Sequence, residues 1–239
     1  MTDAALARRL ATMAGALLME LRAGFAGDNA ALGAAGDRAA NALLIAELRA
    51  ARPDDAILSE EEPADPARLA TRRIWIIDPL DGTREYGERR DDWAVHVALA
   101  IDGVATHGAV ALPALNACFC SEFPPILAPE HRPLRMLVSR SRPAPVALAV
   151  AERLGAELVP MGSAGAKAMA VLRGDADIYL HSGGQYEWDN CAPAAVARAA
   201  GLHVSRIDGS PLVYNCADPL LPDLLMCHRD RAMQVLALI

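Results

Sequence analysis

Lysine is nearly missing from this chain: 22 of its 23 basic residues are arginine, and the exception is Lys167. Abundant alanine beside it suggests a GC-rich coding bias, so a lysine kept against that bias is a candidate for work that a guanidinium does poorly. Paired cysteines are missing too. Five cysteines (Cys118, Cys120, Cys191, Cys216, Cys227) make no C-x-x-C, and an odd, scattered set reads as reduced core thiols rather than a disulfide frame. The six histidines show no H-x-x-x-H spacing, which speaks against zinc and leaves oxygen ligands as the better metal reading. No uncharged apolar run approaches the roughly 20 residues of a membrane helix. The N-terminal stretch, with Asp3, Arg8 and Arg9 inside a helical pattern, does not fit a signal peptide, so the expected location is the cytoplasm. Positive charge is also in deficit. A formal net charge of −7 argues against a general nucleic-acid surface. It would equally repel a phosphate substrate unless bound divalent cations neutralise the carboxylates around it.

What the chain does have, at 239 residues, is length for a full core, as one large domain or two small ones sharing a cleft. Leu6, Leu10, Met13, Leu17 and Leu21 recur at helical spacing and predict an amphipathic helix over 3–23. Gly24 to Gly36 reads as a flexible loop. Asp37 reads as the cap that starts a second helix, which ends at Arg52-Pro53. A short strand over 56–59 empties into Glu60-Glu61-Glu62, and another spans 74–77. Apolar runs over 93–101 and 104–112, joined by Asp102-Gly103, predict a hairpin. A strand over 116–120 completes a largely antiparallel sheet. Prolines crowd between Phe123 and Pro133 and mark a joint between an α+β lobe, 1–128, and an α/β lobe, 129–239. In the second lobe strands (134–139, 157–159, 177–181) alternate with helices (145–154, 163–173). A loop from Gly183 to Asp189, a helix to Gly201, a strand over 224–227 and a terminal helix follow.

The chemistry concentrates in Trp75-Ile76-Ile77-Asp78-Pro79-Leu80-Asp81-Gly82-Thr83. Pro79 removes a donor and should end the strand there, leaving Asp78 and Asp81 on the outside of a tight turn. Two carboxylates so close repel unless a cation lies between them, and their hard oxygens suit Mg²⁺. Gly82 and Thr83 would open a helix whose first N–H groups face an anion. Met161 to Lys167 superficially resembles a phosphate loop but lacks G-x-x-x-x-G-K-[ST]. It is either a helix start holding a phosphate or ribose group, or plain packing. Asp189 reads as a helix cap or as a ligand contributed by the second lobe.

Ser59-Glu60-Glu61, the Trp75–Thr83 stretch and Glu187-Trp188-Asp189 followed by Ala192-Pro193 together resemble the inositol monophosphatase superfamily of Mg²⁺-dependent phosphatases, over nearly the whole chain. Gly162-Ser163 with Lys167, Ala176-Asp177-Ile178-Tyr179 and Asp208 to Leu212 resemble its CysQ-like branch, the 3′(2′),5′-bisphosphate nucleotidases. The resemblance implies a layered αβαβα sugar-phosphatase fold, α/β (α+β) in class, with the active site in the cleft between two lobes. It implies that Glu60, Asp78 and the Leu80 carbonyl hold one Mg²⁺, that Asp78, Asp81 and Asp189 hold a second, and that a weaker third ion sits near Glu60. Thr83 would bond the attacking water with Asp37 behind it, making Thr83, Asp37 and Glu60 the catalytic set. Asp81, Gly82, Thr83, Ser163, Lys167 and Asp189 would meet the substrate. The implied reaction removes the 3′-phosphate of adenosine 3′,5′-bisphosphate by in-line displacement, in sulfur assimilation. The partner is thus a small phosphate ester rather than a nucleic-acid polymer or a membrane, and a homodimer and lithium sensitivity are implied as well. Of the branch pattern D-x-S-P-V-T-x-A-D, residues 28–37 keep only the final aspartate. Two rivals remain: the same chemistry on inositol phosphate or fructose 1,6-bisphosphate, and a non-catalytic nucleotide sensor. The sensor predicts a missing ligand or a missing Thr83, and neither is missing.

Overall fold

The computed structural model, which describes residues 1–239, stacks two five-stranded sheets between three layers of helix. The first sheet runs in chain order: β1 (Ala56–Ser59), β2 (Arg73–Asp81), β3 (Ala94–Ile101), β4 (Val104–Leu112) and β5 (Ala117–Cys120). Only the β1–β2 pair is parallel. Alternation along β2 decides what lies on each face. Trp75 and Ile77 pack into a core with α1 (Asp3–Gly24) and α2 (Asn29–Ala51). Ile74 and Ile76 point the other way, into a core shared with α5 (Ala164–Arg173) and α6 (Glu187–Ala199).

The second sheet is ordered β7 (Glu157–Met161), β6 (Arg135–Ser139), β8 (Ile178–Ser182), β10 (Asp223–Cys227), β9 (His203–Ser205). Its inner face adds Leu137, Tyr179, Leu224 and Met226 to the core that holds Ile74 and Ile76, so the two sheets grip α5 and α6 between them. Its outer face buries Met136, Ile178 and Leu225 against α4 (Pro145–Leu154) and α7 (Arg229–Leu236). This is the αβαβα order. No helix is long and apolar enough to cross a membrane.

Four readings from the sequence need correction. The glycine- and alanine-rich stretch before Asp37 is helix, not loop: α2 begins at Asn29, capped by Asp28, whose Oδ1 accepts from Ala31 N at 2.8 Å. Asp37 is therefore an interior helical residue and not a cap. The glycines serve close packing, since a Cβ on Gly33 would lie 2.7 Å from Thr83 Cγ2, and one on Gly36 2.9 Å from Leu80 and Tyr86 side-chain atoms. The β2 strand does not stop at Pro79 but continues to Asp81, opposite Ala94, with a register shift between Asp78 and Asp81 that accommodates the missing N–H. Asp189 lies in the first turn of α6 rather than in the preceding loop. All five cysteines are free, but Cys216 is exposed and Cys118 only half buried, so not every thiol is a core thiol.

Candidate active site

The bulge at the end of β2 is where the chemistry gathers. It turns Asp78 and Asp81 toward the same end of the sheet although the chain between them is too short for a regular pleat. Asp78 is buried, and its Oδ1 accepts from Leu80 N at 3.0 Å. Gly82 follows at φ +90°, a left-handed conformation that glycine adopts without a Cβ clash. A side chain there would also press on Ser163, 3.1 Å away, so glycine lets this turn abut the start of α5. Thr83 then opens the five-residue helix α3 (Thr83–Gly87), with its hydroxyl 3.2 Å from both the Leu80 carbonyl and Asp37 Oδ1. From the opposite side α6 contributes Asp189, whose Oδ2 accepts from Tyr186 N at 2.7 Å. Asp78, Asp81 and Asp189 each place a carboxylate oxygen within 4.8 Å of the others.

Such crowding raises most of the carboxyl pKa values. Burial, then the charge of Glu60, pushes Asp78 well above the carboxylate range. Burial, then the charge of Asp81, raises Asp189 to about 7. Glu60 rises to about 7 through lost hydration and the nearby Asp189, even though solvent reaches part of its side chain. Asp37 also reaches about 7, through burial and then Glu61. The structure thus gathers carboxyl groups whose ionisation together is disfavoured unless a cation joins them. Three hard oxygen donors within one small volume, with few competing partners on Asp78, fit Mg²⁺ better than a soft metal.

Asp81 is the exception. Burial alone would raise its pKa, but His96, the Ser163 hydroxyl and the Lys167 charge hold it at about 2. Ser163 Oγ donates to Asp81 Oδ2 at 2.5 Å, Gly165 N to the same oxygen at 2.6 Å, and Ala164 N to Oδ1 at 3.1 Å. The N-terminus of α5 is therefore occupied by a protein carboxylate, as its unpaired donors and dipole favour. Lys167 is buried; its Nζ donates to the Gly162 and Ser163 carbonyls at 3.0 and 2.5 Å, and burial depresses its pKa. Of the two residues picked for the nucleotide, one is bonded to Asp81 and the other braces the loop that presents it.

In front of these groups lies a cavity of about 530 Å³ bordered by Asp81, Thr83, Ser163, Lys167 and Asp189. Arg84, Arg140 and Arg142 stand on its rim. Arg140 is paired with Glu85 at 2.7 Å and Glu88 at 3.0 Å, whereas Arg84 and Arg142 are exposed and make no ion pair. Sequence reasoning missed His96 and the arginine rim. His96 carries no local signal, being a single histidine inside an apolar strand. It is fully buried, with Nδ1 3.0 Å from the Trp188 carbonyl and Nε2 3.3 Å from Asp81 Oδ2. Burial would depress its pKa, but Asp81 outweighs burial and raises it.

The chain matches the inositol monophosphatase family over residues 3–236. It belongs to that family. Members are metal-dependent, typically on Mg²⁺, and the cluster of Asp78, Asp81 and Asp189 could bind a metal. The chain is 52% identical over 254 residues to the 3′-phosphoadenosine 5′-phosphate phosphatase of Mycobacterium leprae, covering all of this chain and 94% of that one. It is 32% identical over 206 residues to the 3′(2′),5′-bisphosphate nucleotidase CysQ of Escherichia coli, covering 81% and 83%. Among solved structures, CysQ from Bacteroides thetaiotaomicron superimposes with a TM-score of 0.80 at 25% identity, covering 95% of this chain and 97% of that one. Inositol monophosphatase II of Staphylococcus aureus reaches 0.82 at 18% identity, covering 98% and 91%, a likeness of fold alone.

Proposed function

We propose that this family member is a Mg²⁺-dependent phosphomonoesterase that removes the 3′-phosphate of adenosine 3′,5′-bisphosphate to give AMP and phosphate. The observation that carries this reading is the acidic cluster of Asp78, Asp81 and Asp189, two members of which line a cavity also bordered by Arg84 and Arg142, in a chain 52% identical to a relative bearing that activity's name. Glu60, Asp78 and the Leu80 carbonyl would hold one Mg²⁺, Asp78, Asp81 and Asp189 a second, with Glu60 the ligand for a third. Bound there, Mg²⁺ would supply charge neutralisation and Lewis acidity toward the phosphate being cleaved.

The protein groups divide the remaining work. The Thr83 hydroxyl orients the attacking water, and Asp37, at about 7, can hold or release a proton near neutral pH. Arg84 and Arg142, having no partners in the protein, suit the phosphate that is not cleaved. Gly82, Ser163 and Lys167 shape the wall that the nucleotide meets. On this reading the lobes 1–128 and 129–239 flank the cleft, and the enzyme works as a homodimer in the cytoplasm, in sulfur assimilation. The test is phosphate release with Mg²⁺ from adenosine 3′,5′-bisphosphate, inositol 1-phosphate and fructose 1,6-bisphosphate side by side. The nucleotide should give the highest kcat/KM; hydrolysis of either sugar phosphate with none of the nucleotide overturns the proposal.

A further inference from the structure

We propose that His96 is a positioning residue: it fixes the orientation of the Asp81 carboxylate and ties it to the turn of α6 that carries Asp189. The inference rests on the acidic cluster being a cation site. His96 pairs with Asp78 across β2 and β3 and is wholly buried. A carbonyl can only accept, so Nδ1, 3.0 Å from Trp188 O, carries a hydrogen and clamps the residue immediately before Asp189. Nε2 has no aligned hydrogen-bond partner; its nearest charge is Asp81 Oδ2, 3.3 Å away. One imidazole therefore spans the two acidic stretches of the site.

The wall behind it is cut to fit. A Cβ on Gly165 would lie 2.0 Å from His96 Nε2, so α5 approaches only because that position is glycine. The same Gly165 donates its N–H to Asp81 Oδ2 at 2.6 Å. Oδ2 thus faces Ser163 Oγ, Gly165 N–H and His96 together, whereas Oδ1 has Ala164 N alone, at 3.1 Å. The two α5 donors load Oδ2, with the His96 ring packed beside it, and leave Oδ1 the less occupied oxygen for a cation. Groups that orient a ligand in this way commonly contribute about 10- to 100-fold in metal affinity or activity. A core histidine of purely structural value would contribute to stability and nothing to metal affinity.

The two roles separate in an experiment on the full chain with Mn²⁺ as the probe ion, read by electron paramagnetic resonance, alongside kcat/KM for adenosine 3′,5′-bisphosphate. His96→Ala should weaken Mn²⁺ binding and lower kcat/KM by about 10- to 100-fold. His96→Asn, whose amide nitrogen can take the place of Nδ1 and donate to the Trp188 carbonyl, should recover the part of both that this clamp supplies. Gly165→Ala should weaken binding in the native background and far less in a His96→Ala background, where the added methyl has room. Unchanged Mn²⁺ affinity in His96→Ala with only a lower Tm overturns the inference, as do equal losses for Gly165→Ala in the two backgrounds. Asp81→Asn distinguishes the two levels of failure. If it binds Mn²⁺ like the native chain, the cation-site reading fails and takes this inference with it; if it loses binding while His96→Ala does not, only this inference falls.

Discussion

Asp78 and Asp81 are three residues apart on one strand and live in opposite surroundings. Asp78 has one backbone donor and is crowded by Glu60, Asp81 and Asp189, so its charge is unwelcome in the metal-free protein. Asp81 receives donors from the start of α5 and faces His96, so its charge is already matched. One side of the site demands a cation, and the other has been built around an anion. Neighbouring identical residues can therefore serve one metal with opposite effects on folding, because stability follows what each carboxylate meets before the metal arrives.

The largest test of that contrast replaces each in turn. Asp78→Asn and Asp81→Asn should both lower turnover by about three orders of magnitude, since a lost metal ligand removes several kcal/mol at the transition state. Without metal at pH 8 they should part. Asp78→Asn removes a carboxyl whose ionisation is penalised and should raise Tm; Asp81→Asn puts an amide NH₂ or a weaker acceptor against the α5 donors and should lower it. Calorimetry in EDTA checks both, and shifts of the same sign would break the comparison.

The next test uses pH. Asp37 and Asp189 titrate at about 7 in the folded chain, well above the roughly 4 of an unfolded aspartate. Native protein then holds protons that the unfolded chain has released, so this part of the stability is complete below about pH 4 and is lost as pH rises through about 7. Asp81, at about 2, acts in the opposite sense, but only as pH falls below about 4. Between pH 5 and 8 metal-free Tm should therefore fall. Mg²⁺, competing with the same protons, should raise Tm little at pH 5 and more at pH 8. Equal Mg²⁺ shifts at the two pH values, read by differential scanning fluorimetry, would contradict the assignment.

A smaller effect is expected at the rim. Arg142→Ala, and separately Arg84→Ala, should each cost about 10-fold in kcat/KM for adenosine 3′,5′-bisphosphate, the worth of one charged hydrogen bond. The loss should be smaller on 3′-AMP, which has no second phosphate. Equal losses on both nucleotides would assign the arginines a general role instead.

What the sequence made legible follows the same division. The carboxylates of Asp78, Asp81 and Asp189 lie in short, dense motifs, and strand–helix alternation in the second half reads directly from residue periods. What surrounds Asp81 does not, because Ser163 and Gly165 are more than eighty residues away along the chain, and nothing local marks His96 as their neighbour. The misread loop before Asp37 has a different cause. Glycine normally counts against helix, but here Gly33 and Gly36 are selected by the bulk of Thr83, Leu80 and Tyr86 pressing on α2, a tertiary demand that local propensity does not carry.

That misreading suggests the smallest and most discriminating change. Gly33→Ala improves helix propensity by about 1 kcal/mol, yet its methyl would sit 2.7 Å from Thr83 Cγ2. The nearest contact is a side-chain methyl that can turn aside, and the Thr83 carbonyl oxygen, 3.2 Å from the added methyl, must give slightly; the cost is of similar size to the gain, and Tm should change by no more than a few degrees. Turning aside swings the hydroxyl away from the Asp37 and Leu80 oxygens. Turnover should therefore drop severalfold while Mn²⁺ affinity holds, since no carboxylate of the cluster moves. A variant with native kcat would mean that the Thr83 rotamer is not what α2 is there to set.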